Sequence, residues 1–288
     1  MGLGGPAPCR PTLSGLAWIE AARQRQTEER RGALGANTAT PARRRRKAME
    51  VLEATRGLDP KDPLRAKIDL ALLRTRRALA LYARPGEECE LALSFNGGKD
   101  STVVLHLLRA AAADMDYCST SGGTEKGSKM PFLTFFFPHP DDFKEITAFV
   151  EDCGREYKLD VHAFPSDGSV GFKQGLQHLV QNRGVRAMVI GTRAGDPNAK
   201  GQDPFCPSSE GWPAFMRVNP ILDWTYAEVW SFLRLAKCKY CSLYDEGYTS
   251  LGSTKDTKKN EALLDGKTGT YRPAHALLDQ EAERAGRA

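Results

Sequence analysis

Short apolar runs at residues 91–95, 132–137, 160–164 and 187–190 alternate with helical patterns along this chain. The intervening helical stretches lie at residues 101–112, 143–157 and 172–182. That alternation argues for an α/β fold, a parallel twisted sheet flanked by helices. A weaker run at residues 217–222 extends the series. Thr225 with Glu228 three positions later then reads as a capping box before the apolar stripe Val229, Phe232 and Leu233. Ahead of the first strand, Leu64, Ile68, Leu72, Leu73 and Leu79 recur at helical spacing and predict a packing helix over residues 64–82.

Two stretches break the rhythm. Residues 119–129 are Ser, Gly, Thr and Lys with almost nothing to bury, and predict a surface insert. Residues 193–214 hold Pro197, Pro204, Pro207 and Pro213 and follow a strand directly. A long loop at the carboxyl end of a strand, where open α/β sheets bind ligands, is expected to be functional.

The first 47 residues mix Gly, Pro, Ala, Thr and Arg without an apolar period, so the chain divides into a basic, disordered tail over 1–47 and a folded domain over 48–288. The formal net charge of +5 is misleading: the tail carries nine Arg and one Lys against three Glu, or +7, which leaves −2 for the remainder. A protein that reads nucleic acid by counterion release needs a basic folded surface, so nucleic acid is not an expected partner. The seven scattered cysteines are an odd number and are expected to be reduced thiols in the cytoplasm, although an Arg-rich tail also suits organelle targeting. Cys238 and Cys241 form a lone CxxC with no second pair to complete a zinc site, and read as packing thiols. No run approaches the roughly 20 apolar residues of a membrane helix. A soluble monomer is expected.

The strongest chemical signal is Ser94, Phe95, Asn96, Gly97, Gly98, Lys99, Asp100 and Ser101, directly after an apolar strand and before an apolar helix. Paired glycines allow a tight turn, and the helix start aims free N–H groups and its positive dipole end at an anion. Leu93 and Asp100 stand where a Walker A loop needs Gly and Ser or Thr, so this is a different phosphate loop.

The octapeptide resembles the PP-loop of the ATP pyrophosphatase group, which includes PAPS reductases, tRNA-thiolating enzymes and the eukaryotic type of FAD synthase. Further blocks are similar to those of the FAD synthase family in order and spacing: Gly191, Thr192, Arg193, Asp196 and Pro197; Trp212, Pro213, Phe215, Met216 and Arg217; Asn219 to Trp224; residues 243–253; residues 270–274; and residues 283–287. The resemblance covers about residues 91–288. It departs only in the Ser-Gly-rich insert and in the lack of room for the molybdopterin-binding-like domain that longer members carry.

The resemblance implies a PP-loop adenine nucleotide alpha hydrolase-like fold and transfer of AMP from ATP to FMN, with ATP and FMN as substrates and Mg²⁺ as cofactor. It implies phosphate contacts from Ser94, Phe95, Gly97, Gly98, Lys99 and Ser101, with Asn96, Asp100, Arg193 and Asp196 as catalytic residues and Asp100 beside the Mg²⁺. It further implies a C-terminal flavin-binding segment, with Arg193, Trp212, Arg217, Tyr271, Arg284 and Arg287 against FMN. Arg284 and Arg287, three apart, are expected on one helix face. A PAPS reductase would need a cysteine near its C-terminus, and none follows Cys241. A tRNA-modifying enzyme would need a basic face and paired CxxC motifs. An idle nucleotide-binding module would have no need of Asn96, Asp100, Arg193 and Asp196 together.

Overall fold

A computed structural model describes residues 41–84, 88–117, 130–197 and 199–287, so the tail through residue 40 and the insert at 119–129 lie outside the described residues. The described residues belong to one compact unit, Thr40–Ala288. Helices α1 (Pro41–Arg56) and α2 (Pro63–Tyr82) precede strand β1 (Leu91–Ser94) and helix α3 (Lys99–Asp114). Strand β2 (Leu133–Phe136), helix α4 (Lys144–Tyr157), strand β3 (Asp160–Ala163), helix α5 (Phe172–Asn182) and strand β4 (Ala187–Val189) follow. Strands β5 (Phe205–Pro207) and β6 (Met216–Val218) and helix α6 (Tyr226–Leu235) complete the regular elements. Beyond α6 the chain makes only short 3₁₀ turns, at Ser242–Glu246, Glu261–Leu263, Ala274–Ala276 and Gln280–Arg284.

The expected boundary at residue 47 falls inside α1. The basic run Arg43 to Lys47 is helical because the same helix carries Ala48, Val51 and Leu52 into the core, and Lys47 reaches Glu156 on α4 at 2.9 Å. The folded unit therefore starts about seven residues earlier than the composition suggests. The loop at 193–214 is also not structureless, since it contains β5, which pairs antiparallel with β6 just beyond it.

The sheet order is β3-β2-β1-β4-β6-β5, parallel except at the β5 edge. Side chains alternate across it as pleating requires. Leu91, Leu93 and Phe95 enter a large core with α1, α2, α3, α4 and α6, while Ala92 and Met188 face a smaller one with α5. Both faces of β1 are thus covered, which is why it reads as a continuous apolar run. Each fully buried leucine there contributes roughly 1.5–3 kcal/mol. The capping box is present at α6: Thr225 Oγ1 accepts from Glu228 N at 3.2 Å, and Glu228 Oε2 accepts from Thr225 N at 2.7 Å.

This order places the site. From β1 the chain moves outward to β2 and β3, then crosses back to lay β4 on the other side of β1. A crevice opens beyond the carboxyl ends of β1 and β4, the switch point where sheets of this kind bind ligands.

Candidate active site

The turn between β1 and α3 forms the floor of that crevice. Gly97 takes φ 72°, a left-handed value that glycine adopts without a Cβ penalty, and Gly98 is the N-cap of α3. The first helical bond of α3 is Thr102 N to Gly98 O at 2.9 Å, so the N–H groups of Asp100 and Ser101 precede the ladder at its positive end. Asn96 Oδ1 accepts from Gly98 N at 3.1 Å and from Ser101 Oγ at 2.8 Å. With its oxygen engaged inward, Asn96 has its NH₂ left to donate.

Gly191, at the end of β4, brings the second wall against this turn. A Cβ there would stand 2.8 Å from the backbone of Asp100 and Ser101, so only glycine lets β4 and the start of α3 approach this closely. Arg193 then enters beneath the cleft, 6 % exposed. Its Nε lies 2.9 Å from Asp100 Oδ1, and its Nη2 lies 2.6 Å from both carboxylate oxygens of Glu283. The Asp100 contact is ionic and poorly aligned, since neither Arg193 Nε nor Asp100 Oδ1 has a hydrogen-bond partner among the described residues. Asp196 closes the turn by accepting from Arg193 N at 2.8 Å.

The C-terminal turns form the third wall. Tyr244 is fully buried, and its hydroxyl accepts from Lys99 N at 2.8 Å. Burial, with the Asp100 carboxylate next, drives its pKa well above the usual tyrosine value, so it keeps a proton to donate. Arg284 and Arg287 line the opening with Ser250 and Leu251. Arg284 is exposed and makes no ion pair with a described residue, whereas Arg287 Nη1 donates to Leu251 O at 2.7 Å. The two do not share a helix face: the 3₁₀ turn ends at Arg284, and Arg287 sits in an isolated bridge with Thr257.

Of the residues expected from the sequence, Ser94, Asn96, Gly98, Lys99, Asp100, Ser101, Asp196, Arg284 and Arg287 line one cleft, with Arg193 buried beneath it. Several of the expected side chains point elsewhere. Phe95 points into the core beside Phe149, so only its backbone belongs to the loop. Lys99 is 3 % exposed, and its ammonium is held by Asp100 Oδ2 at 3.0 Å and Glu283 Oε1 at 2.5 Å rather than facing outward. Tyr271 packs over Gly247 and donates to Glu261 Oε1 at 2.9 Å, away from the cleft lining. Arg217 on β6 binds Ser209 Oγ at 3.2 Å. Trp212 joins a different group, edge-on to Phe172, which borders the stacked pair Phe137 and Phe164 beyond the ends of β2 and β3.

The sequence reading overlooked Tyr244, Glu283, Ser250 and Leu251. Glu283 sits inside a block that was noticed for its arginines, and a lone Glu in a polar C-terminal stretch carries no local signal. All five described cysteines are free thiols. No helix among the described residues is long and apolar enough to cross a membrane.

Comparison with known proteins places this arrangement. Residues 90–259 match the phosphoadenosine phosphosulfate reductase domain. A probable FAD synthase of Schizosaccharomyces pombe is 40 % identical over 199 residues, covering 68 % of this chain and 71 % of the relative. A probable FAD synthase of Caenorhabditis elegans is 40 % identical over 204 residues, which are 69 % of this chain but 36 % of the relative. The crystal structure of Candida glabrata FMN adenylyltransferase in complex with FAD and inorganic pyrophosphate is similar at TM-score 0.74 and 25 % identity, covering 88 % of this chain and 99 % of that one.

Proposed function

The chain belongs to the FAD synthase family, and we propose that it transfers AMP from ATP to FMN, giving FAD and pyrophosphate. The observation that carries this reading is the convergence of three walls on one anion-binding cleft: the start of α3, the end of β4 and the Arg284 and Arg287 turn.

A phosphate monoester with a second pKa near 6 is mostly dianionic at pH 7, so FMN needs no strong general base to attack the α-phosphorus of ATP. The protein's task is to hold two polyanions in line and to meet the charge that builds between them. Asn96 donates its amide to the reacting phosphoryl, and the N–H groups of Asp100 and Ser101 meet the departing pyrophosphate. The Tyr244 hydroxyl adds a proton donor at the same wall. Arg284 and Arg287 face the FMN phosphate, and the Trp212 cluster offers an aromatic surface to the flavin ring.

A Mg²⁺ ion borne on the ATP phosphates suits these residues better than a cage built by the protein. Asp100 Oδ1 is buried without a hydrogen-bond partner, Asp196 Oδ1 stands 3.8 Å from Arg193, and no trio of His, Cys, Asp or Glu gathers for a metal among the described residues. When bound, the ion neutralises phosphate charge while keeping several waters, for which one or two carboxylates suffice. The same reading makes the enzyme a monomer of the cytoplasm acting on small molecules.

The test is to supply the recombinant chain with FMN, ATP and Mg²⁺ and follow flavin fluorescence with pyrophosphate release. Quenching as adenine stacks on the ring, with one pyrophosphate per FAD, is the expected result. Pyrophosphate released without FMN, or no quenching, overturns the proposal.

A further inference from the structure

Two carboxylates touch both buried cations of the site, Asp100 from the start of α3 and Glu283 from the far end of the chain. Glu283 Oε1 accepts from Lys99 Nζ at 2.5 Å and from Arg193 Nη2 at 2.6 Å, and its Oε2 stands 2.6 Å from the same Nη2. Lys99 belongs to the loop after β1, Arg193 to the loop after β4 and Glu283 to the last 3₁₀ turn, so these contacts tie all three walls together. The turn is itself anchored. Thr249 Oγ1 donates to Glu283 O at 2.7 Å, and the buried Asn260 donates from Nδ2 to Ala282 O at 2.7 Å and to Thr249 Oγ1 at 2.9 Å. A carboxylate on so fixed a turn is a post and not a mobile latch.

We infer that Glu283 is a positioning residue for nucleotidyl transfer, holding Lys99 and Arg193 apart from the triphosphate and in fixed register with the start of α3. Lys99 is on this view a structural cation whose partners are Glu283 and Asp100, and not a ligand of ATP. The inference deepens the function proposed above and rests on it for the reacting groups. Physical chemistry favours the arrangement: two cations taken out of water beside a phosphate site need a counter-charge, or they repel each other and turn toward the anion. Burial opposes ionisation of Glu283, but Lys99 first and Arg193 next outweigh it and hold its carboxyl below the usual glutamate range. Asp100 first and Glu283 next keep the Lys99 ammonium protonated despite its burial.

This role predicts a split between binding and turnover. Removing the carboxylate leaves the cleft more positive, so ground-state affinity for a polyanion should hold or tighten. Turnover should fall, because misplacement of reacting groups by about 1 Å costs roughly 10²-fold. The experiment titrates Glu283→Gln, Glu283→Asp and the double variant Lys99→Met with Glu283→Gln using a non-hydrolysable ATP analogue, with kcat and melting curves alongside. Expected are a kcat for Glu283→Gln lower by about 10²-fold, analogue affinity unchanged or tighter, and partial recovery of kcat in the double variant, where the ammonium left with Asp100 alone is gone. Glu283→Asp should fall between Gln and wild type. Wild-type kcat in Glu283→Gln overturns the inference. So do weaker analogue binding together with a lower melting temperature, which mark a merely structural turn, and a double variant worse than Glu283→Gln alone, which returns Lys99 to the phosphates. Because the analogue titration does not require FMN, it reads Glu283 even where the wild type makes no FAD.

Discussion

The turn between β1 and α3 and the arm formed by residues 242–287 supply the same cleft by different means. The turn works through backbone. Its donors are N–H groups aimed by a helix start, and its shape depends on Gly97 in a left-handed conformation and on Gly191 pressed against it. The arm works through side chains. It has no helix or strand of ordinary length, and short 3₁₀ turns and single bridges hold Tyr244, Glu283, Arg284 and Arg287 in place. Buried polar pairs such as Asn260 with Thr249 take the part that a helix ladder plays in the turn. The turn should therefore tolerate little change of shape, and the arm little change of charge.

The largest effect expected from this contrast lies at Asn96, where shape and charge meet. Losing a preorganised donor of this kind costs about 10² to 10³ in kcat, and Asn96→Ala should fall in that range with smaller changes in either KM. Asn96→Asp separates the two functions, because its carboxylate still accepts from Gly98 N and Ser101 Oγ but has no NH₂ to give. A melting temperature close to wild type with kcat still lost would assign the effect to the donor. Recovery of kcat in the Asp variant would assign it to loop shape alone.

Next in size are the two arginines, which should respond differently. Arg284 is exposed and unpaired among the described residues, so Arg284→Ala should leave melting unchanged and weaken FMN by about 1.5–3 kcal/mol, roughly 10- to 150-fold, the worth of a hydrogen bond to a charged group. Arg287 lies over Gly252 and donates to Leu251 O, so Arg287→Ala should lower both melting temperature and FMN affinity. Calorimetric titration with FMN and with an ATP analogue, beside melting curves, checks this. Equal loss of both ligands in Arg284→Ala would break the assignment of that wall to FMN.

Gly191→Ala probes shape alone. The added methyl meets backbone of Asp100 and Ser101 at 2.8 Å, which no side-chain rotation relieves, so β4 or the start of α3 must shift. Overpacking of this kind costs about 1–3 kcal/mol, read as a lower midpoint in urea, and kcat should fall with it. An alanine variant of wild-type stability would mean that the close approach is dispensable.

That difference in construction also decided what the sequence disclosed. The run Leu91 to Phe95, the paired glycines and the apolar face of α3 are local patterns with known periods, and they are enough to locate the sheet, the crevice and the loop. Arg193 and Asp196 follow a strand end, but only the family resemblance sets them apart from a surface arginine and a turn-starting aspartate. Glu283 and Tyr244 are not legible, since each gains its role only when a segment far along the chain folds back onto Lys99, at a separation of 184 residues for Glu283 and 145 for Tyr244. The contact of Lys99 with Glu283 is illegible for the same reason, as that part of its counter-charge lies in the arm. Helix α1 is not legible in the sequence, because four arginines and a lysine fill its first turns and its buried apolar residues begin only at Ala48.

The smallest effect concerns that helix, and it asks whether the turn and the arm share one scaffold. Removing residues 1–39 should leave melting and kcat unchanged, since the folded unit begins at Thr40. Removing residues 1–47 is a different operation. It takes away the Arg45 contact with Asp116 at 2.8 Å and the Lys47 contact with Glu156 at 2.9 Å, and it leaves Ala48 at a frayed helix start. Both pairs are partly exposed, so screening keeps each to about 0.2–1 kcal/mol, and a combined loss near 1 kcal/mol lowers melting by roughly 2–4 °C for a domain of this size. Because α1 packs on α3, whose first residues shape the turn, that loss should reach the turn before the arm. ATP-analogue affinity should then drop slightly while FMN affinity holds. A shorter chain that loses FMN first, with ATP binding intact, would mean that the arm and not the turn depends on α1, reversing the comparison.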